Sequence, residues 1–168
     1  MRARLPIAVG ITIACCGDLA VAQYDSAREV VPVTRLRPSP TAFATYSGLS
    51  DPLRTVVRDS AEWSAVWRGI TRPFYPPPPL PQVDFDRDMI VVAALGARPT
   101  GGYDVVIEGA RRDASTLEIA LRTSSPAPGC PVSAAMTQPV DLATIPASPP
   151  PRAVRFRERS IIVPCGAP

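Results

Sequence analysis

The sequence predicts a β-rich α+β domain: an antiparallel sheet or sandwich with one short helix near residues 60–70. Three observations carry this expectation. The chain of 168 residues holds 22 prolines, most of them after position 31. Each fixes φ and lacks an N–H donor, which opposes long helices and favours short strands joined by turns. Several segments alternate apolar and polar residues with the two-residue strand period, and only one places apolar residues at helical spacing.

The chain opens on a basic Met1-Arg-Ala-Arg4, continues through an apolar run from Leu5 to Cys16, and reaches Ala20-Val21-Ala22. A charged start, an apolar middle and a small-x-small site are the parts of a secretory signal peptide, here residues 1–22. The apolar run is shorter than the roughly 20 residues of a membrane-spanning helix. Cleavage after Ala22 leaves about 146 residues, the size of one domain, outside the cytoplasm, in the periplasm or secreted. Lipid anchoring at Cys15 or Cys16 is the alternative, because Thr12-Ile13-Ala14 forms a loose lipobox; only then is a membrane a partner. Residues 23–40 are polar and proline-punctuated. Their first part reads as a flexible leader and their second as an edge strand, with the domain itself over 41–168.

Thr41 to Ser47 alternates and reads as a strand, as does Leu53 to Arg58. Asp59-Ser-Ala-Glu62 has a capping-box pattern with Asp in the N-cap place. Trp63, Val66, Trp67 and Ile70 follow at helical spacing, so a helix runs from about Ser60 to Ile70, its tryptophans better suited to a core than to a ligand platform. Phe74 to Pro81 is a polyproline II segment that reads as a stiff connector. Met89 to Leu95 is continuously apolar, as expected of a strand buried on both faces. Tyr103 to Glu108 and Leu117 to Arg122 alternate around a turn at Arg111–Ser115 and read as a hairpin with its aliphatic face inward. Ser124 to Pro131 is a loop by composition. Strands follow over Pro139–Ile145 and Ala153–Val163.

All eighteen basic residues are Arg, and the chain has no His and no Lys. Ser-His and Cys-His nucleophiles, Ser-Lys dyads, Schiff bases and His-ligated zinc are therefore excluded. A non-enzymatic binding role without a cofactor is expected. Asp84, Asp86 and Asp88 have the spacing that starts a calcium loop. Met89 and Leu95, however, stand where that loop needs its turn glycine and its bidentate acid, so the acids read as a charged strand entry. Arg155, Arg157 and Arg159 share one face of the last strand. The net charge without residues 1–22 is only about +2, and a single aromatic, Phe156, lies among them, which argues against nucleic acid; a solvated face that blocks edge-to-edge pairing accounts for them, with an acidic protein partner as the alternative.

Two cysteines remain after cleavage, Cys130 and Cys165. In an oxidising compartment they are expected to pair, closing a loop of about 35 residues worth roughly 4 kcal/mol. The alternatives, a reactive thiol or a two-ligand metal site, have no histidine to complete them. The most distinctive stretch is Arg98-Pro99-Thr100-Gly101-Gly102-Tyr103. Pro99 fixes φ, Gly101 and Gly102 permit positive φ, and Tyr103 restarts a strand. It reads either as a tight turn or as a recognition loop held between rigid strands.

Trp63-x-x-x-Trp67, Val83-Asp-Phe85, Gly96-x-x-Pro-Thr-Gly-Gly-Tyr103, the Pro-Gly-Cys loop and Thr137-Gln-Pro139 occur in that order. Over residues 50–147 the chain thereby resembles the C-terminal domain of the bacterial protease-complex subunit PrcB. The resemblance implies a secreted or lipid-anchored accessory protein without catalytic residues. The family namesake associates with a surface subtilisin-like protease and is held to stabilise it, so an exported protease becomes the expected partner, and 98–103 its expected contact with 126–131 beside it. A second likeness is to chagasin-type protease inhibitors, which present Pro-Thr and Gly-rich turns at one end of a β-sandwich. Arg98 to Gly102 and Pro126 to Gly129 have that composition, although Arg98 stands where those inhibitors have Asn.

Overall fold

The computed structural model describes residues 28–37, 45–151 and 153–166. The expected signal peptide with Cys15 and Cys16, the start of the leader (23–27) and most of the strand expected at 41–47 lie outside the described residues. The elements run β1 (Glu29–Val31), β2 (Thr34–Arg35), β3 (Leu53–Val57), α1 (Ser60–Thr71), β4 (Asp88–Ala94), β5 (Asp104–Arg112), β6 (Thr116–Pro126), β7 (Val140–Pro146) and β8 (Ala153–Val163). They build two four-stranded sheets, ordered β1-β5-β6-β8 and β2-β7-β4-β3. The sheets stack face to face, and α1 covers the outer face of the second. The β-rich expectation with one helix therefore describes the architecture.

β4 shows why its sequence is apolar on every residue. Met89, Val91, Ala93 and Leu95 point between the sheets, beside Val105, Ile107, Leu117, Ile119 and Leu121. Ile90, Val92 and Ala94 point the other way, against Trp63, Trp67 and Ile70 of the helix. Fully burying a Val, Ile or Met side chain is worth about 1.5–3 kcal/mol, so this central strand holds both layers.

The helix starts where its cap permits. Asp59 sits in extended backbone and its carboxylate accepts the Glu62 N–H at 2.8 Å. The return bond of a capping box shifts by one residue: Glu62 accepts the N–H of Arg58, at 3.3 Å. The Trp63 and Trp67 rings lie 5.3 Å apart. Their indole N–H groups donate to the carbonyls of Pro81 and Pro78, at 3.0 and 3.2 Å. The polyproline segment is thus latched across the helix, and buried indoles keep their polar partners.

Three expectations need correction. First, the domain does not begin at residue 41: the second part of 23–40, read as an edge strand, forms β1 and β2, an edge strand of each sheet, and the pairing reaches back to Glu29. β1 pairs with β5 and β2 with β7, antiparallel, and the chain changes sheets at Pro32 and Val33. Val31 is buried in the inter-sheet core, so the edge-strand reading extends across this segment and the domain begins before residue 41. Second, β6 continues to Pro126, taking Ser124 and Ser125 out of the expected loop. Third, the sheets are not wholly antiparallel: β8 pairs with β6 in parallel along its full length, Ala153 opposite Thr116 through Val163 opposite Pro126. The chain reverses into β7 of the other sheet and reverses again, so it returns in the direction of β6. At the described end of the strand expected over 41–47, Tyr46 makes only a single bridge, to Gln138.

The β5–β6 hairpin carries a bulge at Glu108, between Ile107 and Gly109. Both Glu108 and Gly109 face outward, after which Ala110 re-enters the core. The turn is held by Asp113, which accepts the N–H groups of Ser115 and Thr116, each at 2.8 Å, and the Ser115 hydroxyl at 3.0 Å. Those donors keep its carboxyl below the usual carboxylate range.

Candidate functional site

Arg98 to Tyr103 leave the end of β4 and enter β5. Leu95 N–H donates to the Pro139 carbonyl at 2.9 Å, and Ala97 N–H to Ser50 at 2.8 Å. Between them Gly96 takes φ +78°, and a Cβ there would lie 2.8 Å from the Ser50 carbonyl oxygen and the Pro52 nitrogen. Only glycine fits this passage. Arg98 then pairs with Thr137 through two backbone hydrogen bonds, at 2.7 and 3.0 Å. The Arg98 guanidinium donates to the Leu95 carbonyl at 3.0 Å, and its carbon lies 5.8 Å from the centre of the Tyr103 ring, within cation–π range. Thr137 donates its hydroxyl to the Thr100 carbonyl at 2.8 Å. Thr137 thereby holds the loop at both Arg98 and Thr100.

The two glycines of the loop differ in role. Gly102 has φ +84° and packs against Pro126 and Val132. Gly101 does not use positive φ; it is small because Ser133 is close, with a Cβ placed 2.7 Å from the Ser133 oxygen, and its N–H donates to the Ser133 carbonyl at 3.0 Å. The condition set for the second loop, that it lie at the same end as 98–103, is met at Gly102 and Pro126, and the contact extends to residue 137. Cys130 is bonded to Cys165, which ties this second loop to the end of β8. The Ala127 N–H adds a bond to the Val163 carbonyl at 2.9 Å.

Residues 131–136 are exposed throughout, including Val132 and Met136. This apolar segment sits beside exposed Pro99 and Gly102. Around the corner, Leu95, Arg98, Tyr103, Ser124, Glu158 and Ser160 are among the residues lining an open groove of about 270 Å³. Arg54 spans its rim, donating to Glu158 at 3.1 Å and to the carbonyls of Leu53 and Ala94. Arg98 is half-buried, and its Nε has no hydrogen-bond partner among the described residues. Among those residues no group of three His, Cys, Asp or Glu side chains could hold a metal ion. Asp84, one of the three acids at calcium-loop spacing, instead accepts the N–H of Asp86 at 3.1 Å in the turn that starts β4. The site consists of hydrogen-bonding backbone, one arginine stacked on a tyrosine, and exposed apolar side chains, which is the equipment of recognition.

A family model described as PrcB C-terminal matches residues 89–146. This segment, β4 to β7, is what the chain shares with the PrcB C-terminal family. The match begins in β4 and ends in β7, so it takes in both loops, their pairing at Arg98 and Thr137, and Cys130. Trp63, Trp67 and Val83 to Phe85, which share in the resemblance, lie before the matched PrcB segment, and β8 with Cys165 lies after it. No curated protein and no solved structure matches the chain.

Among sequence features, the spacing of Pro99 to Tyr103 marked the loop. The apolar face at Val132 and Met136 carried no such signal, because an apolar residue without periodicity reads equally as core.

Proposed function

We propose that this protein is a non-catalytic, extracytoplasmic accessory subunit that binds an exported protease and stabilises it, with the paired loops 98–103 and 126–137 as its contact surface. The observation that carries this reading is the joining of the two loops at Gly101 and Ser133, backed by the Cys130–Cys165 bond. Rigid loops lose little entropy on association, and the apolar Val132 and Met136 supply area that water leaves cheaply. The PrcB family match supports a role in a protein complex. A disulfide supports an oxidising compartment, in line with the signal-peptide reading of residues 1–22.

Affinity capture with the full chain from envelope extract tests the reading. Recovery of an exported protease by the wild type, lost with Val132→Ser combined with Met136→Ser, is the expected result. Capture that ignores both substitutions, or recovers no protease, overturns it. The side-by-side placement of the Pro-Thr and Pro-Gly turns also favours a second reading, a protease inhibitor. Stoichiometric loss of cysteine- or serine-protease activity on titration with the purified chain would select that reading over stabilisation.

A further inference from the structure

We propose that β8 is a docking edge, to which another protein adds an extended segment that is alternately acidic and aliphatic. β8 has eleven residues and ends its sheet. All eleven pair with β6 on one side, and among the described residues no strand pairs with the other. The remaining sheet edges are short: three residues in β1, two in β2 and five in β3. Residues 153–163 contain no proline and no bulge; of the devices that commonly blunt an edge they carry only charge, which turns away like-charged strands and admits opposite ones. The Cys165 disulfide and the Ala127 N–H bond to the Val163 carbonyl pin the strand's end before anything docks. Main-chain hydrogen bonds to such an edge supply affinity and alternate side chains supply specificity.

The side chains state which partner fits. Arg155, Arg157 and Arg159 stand on the outer face. Arg157 reaches Glu118 and Arg159 reaches Glu108, yet both keep about two thirds of their side-chain surface exposed. Arg155 is exposed and has no ion pair among the described residues. A strand laid beside β8 would set alternate side chains roughly 5 Å from these guanidinium-bearing positions, where opposite charges stabilise and like charges destabilise. The inner-face positions are Val154, Phe156, Glu158, Ser160 and Ile162; Val154 and Ile162 are exposed, which suits aliphatic residues at the two ends, while Glu158 between them is held by Arg54. The fullest antiparallel registers with a second copy set like charges together: centring on Arg157 sets Arg155 against Arg159, centring on Glu158 sets Arg157 against Arg159, and centring on Arg159 sets that residue against its own copy. The arginines thus disfavour the longest self-pairings and favour an acidic strand with the same charges.

The test uses the full chain and three synthetic nonapeptides: one alternating glutamate with valine, one alternating lysine with valine, and the glutamate peptide N-methylated at alternate residues. Calorimetry reads affinity, and amide hydrogen exchange reads location. The glutamate peptide is expected to bind and protect amides within 153–163. The lysine and N-methylated peptides are expected not to bind, and Arg155→Glu is expected to weaken the glutamate peptide roughly five- to tenfold. Four results would overturn the proposal: no binding at millimolar peptide, equal binding of the lysine peptide, protection confined to residues 53–57 or 98–103, or outer-edge β8 amides already protected in the free chain. The last would mean that another segment of the chain or a second copy occupies the edge.

Discussion

The carboxylate of Asp141, on β7, accepts the backbone N–H of Ile107, on β5, at 2.7 Å. The bond crosses from one sheet to the other where the sandwich is thinnest in partners. β1 covers the edge of β5 only from Ala110 onward, so Ile107 faces the gap that the chain leaves when it changes sheets. Arg35 on β2 donates to the Ile107 carbonyl at 3.4 Å and lies 3.7 Å from Asp141. Two charged side chains thereby satisfy both backbone groups of one residue beside the bulge, as buried backbone requires.

Asp141 makes stability depend on pH in an unusual direction. Burial raises its pKa above the ordinary value near 3.8; the Ile107 N–H, Arg35 and the Leu142 N–H oppose the rise, and Asp104 adds to it. Between the ordinary carboxylate value and its own raised one, the folded chain therefore holds a proton that the unfolded chain has released. Stability contributed here is full below the ordinary carboxylate range and declines as pH rises through the folded value. Asp141→Asn keeps an acceptor and abolishes this decline, so it is expected to match or exceed the wild type in urea titrations at pH 7. Asp141→Ala leaves the Ile107 N–H without its partner and is expected to cost about 1–3 kcal/mol.

Gly96 and Gly109 make opposite predictions for the same substitution. At Gly96 a methyl group meets backbone atoms at 2.8 Å and φ is +78°. Gly96→Ala is expected to cost more than about 1 kcal/mol and to disturb the 98–103 loop. At Gly109 nothing lies within 4 Å of an added Cβ, and φ is not positive. Gly109→Ala is expected to be neutral or to stabilise by up to about 1 kcal/mol. Thermal unfolding of the two variants side by side distinguishes these outcomes.

The Cys130–Cys165 bond closes a segment separated by 35 residues, which includes β7 and β8. Its loss in a Cys130→Ser, Cys165→Ser double variant is expected to lower stability by about 2–4 kcal/mol. Denaturant midpoints measured with and without reductant check this: the wild type should shift towards the variant on reduction, and the variant should not move.

What the residues reveal in advance follows from what periodicity encodes. The apolar run of β4 shows a strand covered on both faces, and Asp59 with Trp63, Trp67 and Ile70 shows where the helix starts and which side it buries. Periodicity assigns faces but not neighbours, so nothing in Ala153 to Val163 discloses that β8 lies parallel to β6. Pro32 and the short apolar stretches beside it mark an edge strand within 23–40, but too few residues alternate to show that it is split into β1 and β2, one in each sheet. The loop 98–103 is legible because proline and glycine have special backbone needs. Its partner at Ser133 to Thr137 is not, since most of its bonds are made by backbone groups that every residue carries and its one side-chain bond, from the Thr137 hydroxyl, has no periodic signature.

Arg98 and Tyr103 illustrate how the structure separates anchoring from recognition within that loop. Arg98 is committed to the Leu95 carbonyl and the Tyr103 ring, and Tyr103 packs against the inter-sheet core. Arg98→Ala is therefore expected to cost about 1–3 kcal/mol, because the Leu95 carbonyl loses a charged donor, and to speed amide exchange at Gly101, whose bond to Ser133 depends on the loop's position. Val132→Ser and Met136→Ser remove exposed side chains, and each is expected to change stability by less than about 0.5 kcal/mol. If these surface substitutions abolish partner capture while Gly101 exchange stays slow, the apolar face recognises the partner and Arg98 serves to hold it in place. Loss of capture only in Arg98→Ala, at unchanged Gly101 exchange, would move the recognition to the guanidinium itself.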